Sequence, residues 1–299
     1  MKEVTILSGK GGTGKTSVAA SLASLAKNKA MVDRDVHAAD LYLLLKPDSR
    51  QKQEFWSGEK AVISEDKCTG CGLCREVCRF EAISSEYKVD PISCDGCRFC
   101  YNICPADAIT MQQSLSGHWF TSETRYGPLV HARLGVAQEN SGKLVALVRQ
   151  EAKRIAEQRG LDYIISDGPP GTGCPVISSL SGVNLAVIVT EPTLSGIHDL
   201  KRVIGVCQHF AVPVIVCINK YDINSENSHQ IENYCQTQNI EVAARIPFDT
   251  LVTRALVRRI PVVEYSRNRV GREIENLWQV VTGYLNRKTK EDRREEIDR

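Results

Sequence analysis

Residues Gly9-Lys-Gly-Gly-Thr-Gly-Lys-Thr16 satisfy the pattern G-x-x-x-x-G-K-S/T, between an apolar strand and an amphipathic helix. No other feature limits the fold as strongly. Glycines let successive backbone N–H groups wrap a phosphate chain, and the helix N-terminus adds its positive end. Such a loop needs a strand to feed it and a helix to follow it. The strand is read over residues 3–7 and the helix over about 15–28, with Val18, Leu22 and Leu25 on one face. Gly9, Gly11, Gly12, Thr13, Gly14 and Ser17 complete the cradle. Lys15 is expected to neutralise phosphate charge, and the Thr16 hydroxyl to ligate Mg²⁺.

The same alternation continues along the chain. Residues 30–33, 163–167, 185–189 and 212–218 are short continuous apolar runs, as parallel strands covered on both faces should be. Helices are read over 144–159, 227–238 and 268–286, and a hairpin over 121–138. Residues 288–299 are almost wholly charged and read as a solvated tail. Asp33 and Asp35 follow the second strand, and Asp167 ends a later one. Single aspartates at strand ends are ordinarily caps or turn residues. Together with the phosphate loop, Asp33 and Asp35 read as groups that position Mg²⁺ and the attacking water, and Asp167 as a further aspartate partner of the metal. Lys10 is a second lysine in the loop. It reads either as a solvated side chain or as a cation that reaches a phosphate, in its own site or that of a facing subunit.

Eight of the twelve cysteines fall between residues 68 and 104, where the βα pattern is lost. Cys68, Gly70, Cys71, Cys74, Cys78, Ala82 and Ile83 recur at a fixed offset of 26 as Cys94, Gly96, Cys97, Cys100, Cys104, Ala108 and Ile109. Disulfide frameworks belong to short secreted chains. Structural zinc prefers paired C-x₂-C units with a longer spacer. The run C-x₂-C-x₂-C-x₃-C instead holds a 4Fe–4S cluster with three thiolates and sends the fourth to a second cluster. Cys68, Cys71, Cys74 and Cys104 are therefore assigned to one cluster, and Cys78, Cys94, Cys97 and Cys100 to the other. Proline follows Cys104 as that run expects, whereas Arg79 follows Cys78.

These motifs resemble two known families. Lys10 with Lys15, Asp33-Arg-Asp35 and Asp167-Gly-Pro-Pro-Gly-Thr-Gly173 resemble the deviant Walker A ATPases of the MinD/ParA/Mrp group, which includes the nitrogenase iron protein. Residues 1–45 and about 140–275 carry that likeness. It implies a P-loop fold that forms a homodimer around ATP, with Lys10 contacting the partner's nucleotide. Asp35 is then the water-positioning residue and Asn219 the adenine reader, with Glu191-Pro-Thr-Leu-Ser-Gly196 and the loop carrying Pro247 lining the site. Residues 60–112 resemble two-cluster ferredoxin domains. A ferredoxin spliced into such an ATPase resembles the MinD-like iron–sulfur ATPases of anaerobic bacteria and archaea.

The expected organisation is an α/β P-loop domain over 1–59 and 113–287, a small inserted α+β ferredoxin-like domain over 60–112, and the tail. The expected cofactors are ATP, Mg²⁺ and two 4Fe–4S clusters. Three functions fit: an ATP-gated electron donor to a partner metalloprotein, a carrier delivering clusters to a client, or a spatial organiser with a ferredoxin docking module. The eight complete ligands favour the first. A formal charge of +2 implies no basic nucleic-acid surface. No apolar run is long enough to span a bilayer, the charged tail lacks an apolar face for membrane binding, and the N-terminus leaves no room for a signal peptide. A cytoplasmic protein is expected. Cys174, beside the Gly171-Thr-Gly173 turn, reads as a small buried residue or a third redox position. Cys207, Cys217 and Cys235 read as core.

Overall fold

In the computed structural model, residues 1–135 and 141–297 are described, with side chains for all of these but Ser49 and 288–297. β1 (Lys2–Ser8) opens the chain with six consecutive buried residues. It runs into the phosphate loop and α1 (Lys15–Leu25), then β2 (Lys29–Asp33) and α2 (Leu41–Leu45). β3 (Ser49–Ile63), α3 (Leu73–Glu76), α4 (Phe99–Ile103), β4 (Ile109–Thr124) and β5 (Gly127–Leu134) follow. The rest alternates: α5 (Ser141–Gln158), β6 (Tyr163–Pro170), α6 (Cys174–Leu180), β7 (Leu185–Thr190) and α7 (Leu194–His209). Then come β8 (Val214–Asn219), α8 (Ser225–Thr237), β9 (Glu241–Ile246), α9 (Thr250–Val257), α10 (Val262–Tyr265) and α11 (Arg269–Ile297).

Among the described residues the sheet has nine strands, in the order β3-β4-β5-β2-β6-β1-β7-β8-β9. The pairs β2–β5, β2–β6, β1–β6, β1–β7, β7–β8 and β8–β9 are parallel. This is the expected α/β fold with a mostly parallel sheet and flanking helices. Apolar clusters among the described residues cover the central strands. One joins α1, α2, α10 and α11 to the sheet, through Leu22, Leu45 and Leu277. Another joins α6, α7 and α8, through Leu180, Ile204 and Ile231.

The chain divides into two compact units. The first comprises residues 1–51, 120–132 and 142–299, the second 52–119 and 133–141. β3 was not expected from the sequence, and β4 begins at Ile109, ahead of the expected hairpin. β4 and β5 meet at Arg125–Tyr126, as a hairpin there requires, while residues 136–138 of the expected hairpin lie outside the described residues. The charged tail differs from expectation: α11 continues to Ile297. Lysine, arginine and glutamate are strong helix formers, so a run of them prolongs a helix rather than ending it.

A polar cluster apart from the phosphate site is buried in the first unit. The Glu3 carboxylate of β1 accepts from the fully buried Arg34 guanidinium, and from Arg149 Nη2 of α5 at 2.7 Å. Arg34 Nη1 also donates to the Ser179 carbonyl at 2.7 Å. Burial pushes the Glu3 carboxyl up, but the two guanidiniums outweigh it and hold the group below its usual 4.5. A carboxyl lowered by folding contributes stability that is present above its unfolded value and lost as pH falls through its folded one. Glu3→Gln leaves two guanidiniums without their anion and should cost about 3 kcal/mol at pH 7. Urea unfolding should show the gap to the parent narrowing as pH falls below 4.5. A gap independent of pH would mean that the Glu3 charge contributes nothing.

Candidate functional site

The phosphate loop connects β1 to α1, so its N–H groups gather at the C-terminal ends of the parallel strands, where open α/β sheets bind ligands. Gly14 precedes α1 with φ +91, and a Cβ there would lie 2.3 Å from Asn219 Nδ2. Only glycine satisfies both conditions. Asn219, at the end of β8, donates from Nδ2 to the Thr13 carbonyl at 2.7 Å and so ties β8 to the loop.

Asp33 and Asp167 are register partners on the neighbouring strands β2 and β6. Lys15 faces them: its Nζ donates to Asp167 Oδ1 at 2.7 Å and lies 3.9 Å from Asp35 Oδ2. Burial pushes the Lys15 ammonium down, but Asp167, Asp33 and Asp35 outweigh it and raise its pKa. Burial and the Asp167 charge push Asp33 well above the carboxylate range. Its oxygens accept from the Asp35 and Leu41 N–H groups, both at 3.0 Å. Burial likewise raises Asp35, against the pull of Lys15. Asp167 Oδ2 is buried without a hydrogen-bond partner.

A cavity of about 500 Å³ is lined by Gly11 to Ser17, Asp35 and Asp40, with Leu43, Leu44, Leu256 and Arg259. That volume suits a nucleotide-sized ligand. Among the described residues, no three His, Cys, Asp or Glu side chains could share one metal ion. Mg²⁺ needs no such cage, because it binds through one or two carboxylates plus substrate phosphates. Thr16 on the cavity wall and Asp167, with its unpartnered Oδ2, are hard oxygen donors that fit it. Both oxygens of the expected third donor, Asp33, already accept backbone N–H groups, and neither aspartate lines the cavity.

Lys10 points elsewhere. Its Nζ pairs with Glu191 Oε1 at 2.8 Å and bonds the Ser195 and Thr193 hydroxyls at 2.9 and 3.2 Å. Glu191 Oε2 accepts from Lys220 Nζ at 3.0 Å, so one carboxylate serves two lysines. Burial pushes Glu191 up, but both lysines outweigh it and hold its pKa down. Pro247 is half-buried between β9 and α9, and neither it nor Asn219 lines the cavity. Sequence reading did not single out Leu256 or Arg259. They sit in a charged, mixed segment with no motif.

In the second unit the cysteines line two voids. Cys68, Cys71, Cys74 and Cys104 surround one, with Leu73, Tyr87 and Ile109. Cys78, Cys94, Cys97 and Cys100 surround the other, with Phe80, Phe99 and Met111. Each void thus takes three thiols from one repeat and the fourth from the other. Burial raises the Cys74 thiol, and Cys68, Cys71 and Cys104 raise it further. Burial also raises Cys100, with Cys94, Cys97 and Cys78 adding to it. Ile83 and Ile109, matched positions of the repeat, pack in one apolar cluster with Ala61 and Cys74. Four soft thiolate donors around a small apolar-walled void suit an iron–sulfur cluster. Elsewhere Cys174 is exposed, while burial pushes Cys207 and Cys217 up to about 12 and Cys235 to about 11.

Residues 4–262 match the CobQ/CobB/MinD/ParA nucleotide-binding domain. The chain belongs to this family. As a MinD/ParA-type protein it is similar over nearly its whole length to an uncharacterized protein of Methanocaldococcus jannaschii. The two are 34% identical over 286 residues, covering 95% of this chain and 97% of the relative. An iron–sulfur cluster carrier protein of Pyrococcus horikoshii is 27% identical over 139 residues, covering 42% of this chain and 46% of that protein. Among solved structures, the septum site-determining protein MinD complexed with Mg-ADP, from Pyrococcus horikoshii, aligns with a TM-score of 0.57 and 19% identity. It covers 94% of this chain and 95% of that one, and the likeness is one of fold. Among the described residues, no helix of this MinD/ParA-type chain is long and apolar enough to cross a membrane.

Proposed function

We propose that the protein is a Mg²⁺-dependent ATPase whose ATP-driven dimerisation gates electron transfer from two 4Fe–4S clusters to a partner metalloprotein. The observation that carries this reading is the pair of voids, each lined by four cysteines, in a chain that also holds a nucleotide-sized cavity on a phosphate loop. When bound, Mg²⁺ supplies charge neutralisation at the phosphates, and each cluster stores one exchangeable electron.

The chain's own residues do the rest. Loop N–H groups and Lys15 would hold the phosphates, and Asp167, which now pairs with Lys15, would be among the residues that hold Mg²⁺ beside them. Asp35 orients the attacking water. Lys10 leaves Glu191 for the nucleotide of a facing subunit. The loops carrying Asp35 and Asp167 relax once the γ-phosphate is gone, and the dimer reopens.

A second reading, cluster delivery to a client, is favoured by the similarity to an iron–sulfur cluster carrier protein. Anaerobic purification tests both. Protein with about eight iron and eight sulfide per chain is expected, together with Mg²⁺-dependent ATP hydrolysis. Stoichiometric zinc without sulfide would refute the cluster assignment. If iron stays with the chain through many turnovers while an electron acceptor is reduced, transfer is correct. If iron leaves with an apo-acceptor, delivery is.

A further inference from the structure

The C-terminal end of α9 closes with two backbone hydrogen bonds. The Arg259 N–H donates to the Leu256 carbonyl at 2.9 Å, and the Ile260 N–H to the Ala255 carbonyl at 3.0 Å. This is a Schellman arrangement, whose turning residue is ordinarily glycine. Here it is Arg259, at φ +55. Lys46 and Ala211 end other helices in the same conformation, but of these three positions only Arg259 lies on the wall of the nucleotide cavity. Its neighbour Arg258 sits over the Tyr265 ring, 5.7 Å from the centroid. Among the described residues, no carboxylate pairs with Arg259.

The cavity wall is of two kinds. The phosphate loop supplies N–H groups and the Lys15 ammonium. Leu43, Leu44 and Leu256 supply apolar surface beside Arg259. A guanidinium is planar and weakly hydrated, and it stacks on aromatic faces, nucleobases included. Asn219 is outside this wall, its amide given to Thr13. We propose that Arg259 is a base-contacting residue of the nucleotide site, its guanidinium stacking on the nucleobase beside Leu256. The proposal rests on reading the cavity as a nucleotide site.

Calorimetric titration of the full chain with ATP and with inorganic tripolyphosphate tests it. Arg259→Gly should weaken ATP binding about tenfold, the scale of one lost base-stacking contact, and leave tripolyphosphate binding unchanged. Because glycine suits the turn, the ligand-free variant should unfold no lower than the parent, and about 2 °C higher. Arg259→Lys keeps the charge without the plane and should follow the glycine variant for ATP. If the parent binds ATP and Arg259→Gly binds it equally, or if tripolyphosphate binding falls in step with ATP, the base contact is refuted. A parent that binds neither ligand refutes the nucleotide reading and this proposal with it.

Discussion

Lys10→Ala should bind ATP with near-normal affinity and hydrolyse it about a thousandfold more slowly, the lower end of what a trans-acting cation contributes to phosphoryl transfer. Lys15 already serves the phosphates within the chain: it lines the cavity and faces Asp167 at 2.7 Å. Lys10 lies on Glu191 instead, with two hydroxyls completing its shell. On the proposed reading, its charge acts once negative charge develops on a γ-phosphate facing a second subunit. The substitution should not unfold the chain, because Glu191 keeps Lys220 as a partner. ATP-dependent dimerisation, followed by sedimentation, should fail in the variant. Lys15→Ala is the contrasting case, in which nucleotide binding itself should be lost. Wild-type turnover and a wild-type dimer in Lys10→Ala would leave Lys10 a loop residue held by Glu191, and the gated dimer would be wrong.

Cys78→Ser should remove or alter the cluster at the site of Cys94, Cys97 and Cys100, and spare the one at Cys68, Cys71 and Cys74. Iron in the anaerobic protein should fall from about eight to about four per chain, and one of two reduced-cluster signals in electron paramagnetic resonance should vanish or shift. The reason is spatial. Cys78 shares its void with Cys94, Cys97 and Cys100, although in sequence it lies closer to Cys74. Cys104→Ser should give the mirror result. Damage confined to the site of Cys68, Cys71 and Cys74 in Cys78→Ser would mean that each repeat ligates locally.

The central strands were legible because burial on both faces leaves continuous apolar runs, as in Leu185–Thr190. β3 was not, because Ser-Arg-Gln-Lys-Gln-Glu carries no apolar alternation and those residues with described side chains are exposed. β9 escaped notice for a related reason: Glu-Val-Ala-Ala-Arg-Ile at a sheet edge is only partly covered. Phosphate-loop residues were legible because their chemistry fixes their spacing. The bridge from Lys10 through Glu191 to Lys220 was not, since it joins segments that only the folded sheet brings together. Arg259 was equally hidden, because one arginine among charged neighbours carries no periodic or motif signal.

The exchange of Cys78 and Cys104 gives the second unit the logic of a two-fold dimer written into one chain. In an isologous contact each half supplies to the other what it receives, and here the currency is a thiol. A piece holding one repeat would present three thiols of one site and a fourth directed at another, so two such pieces would complete each other only on meeting. Their assembly would be second order and would fail on dilution. Joining them makes it unimolecular, at an effective concentration that a short tether places in the millimolar range. Loading of either site then depends on the fold of both halves but no longer on how much protein is present.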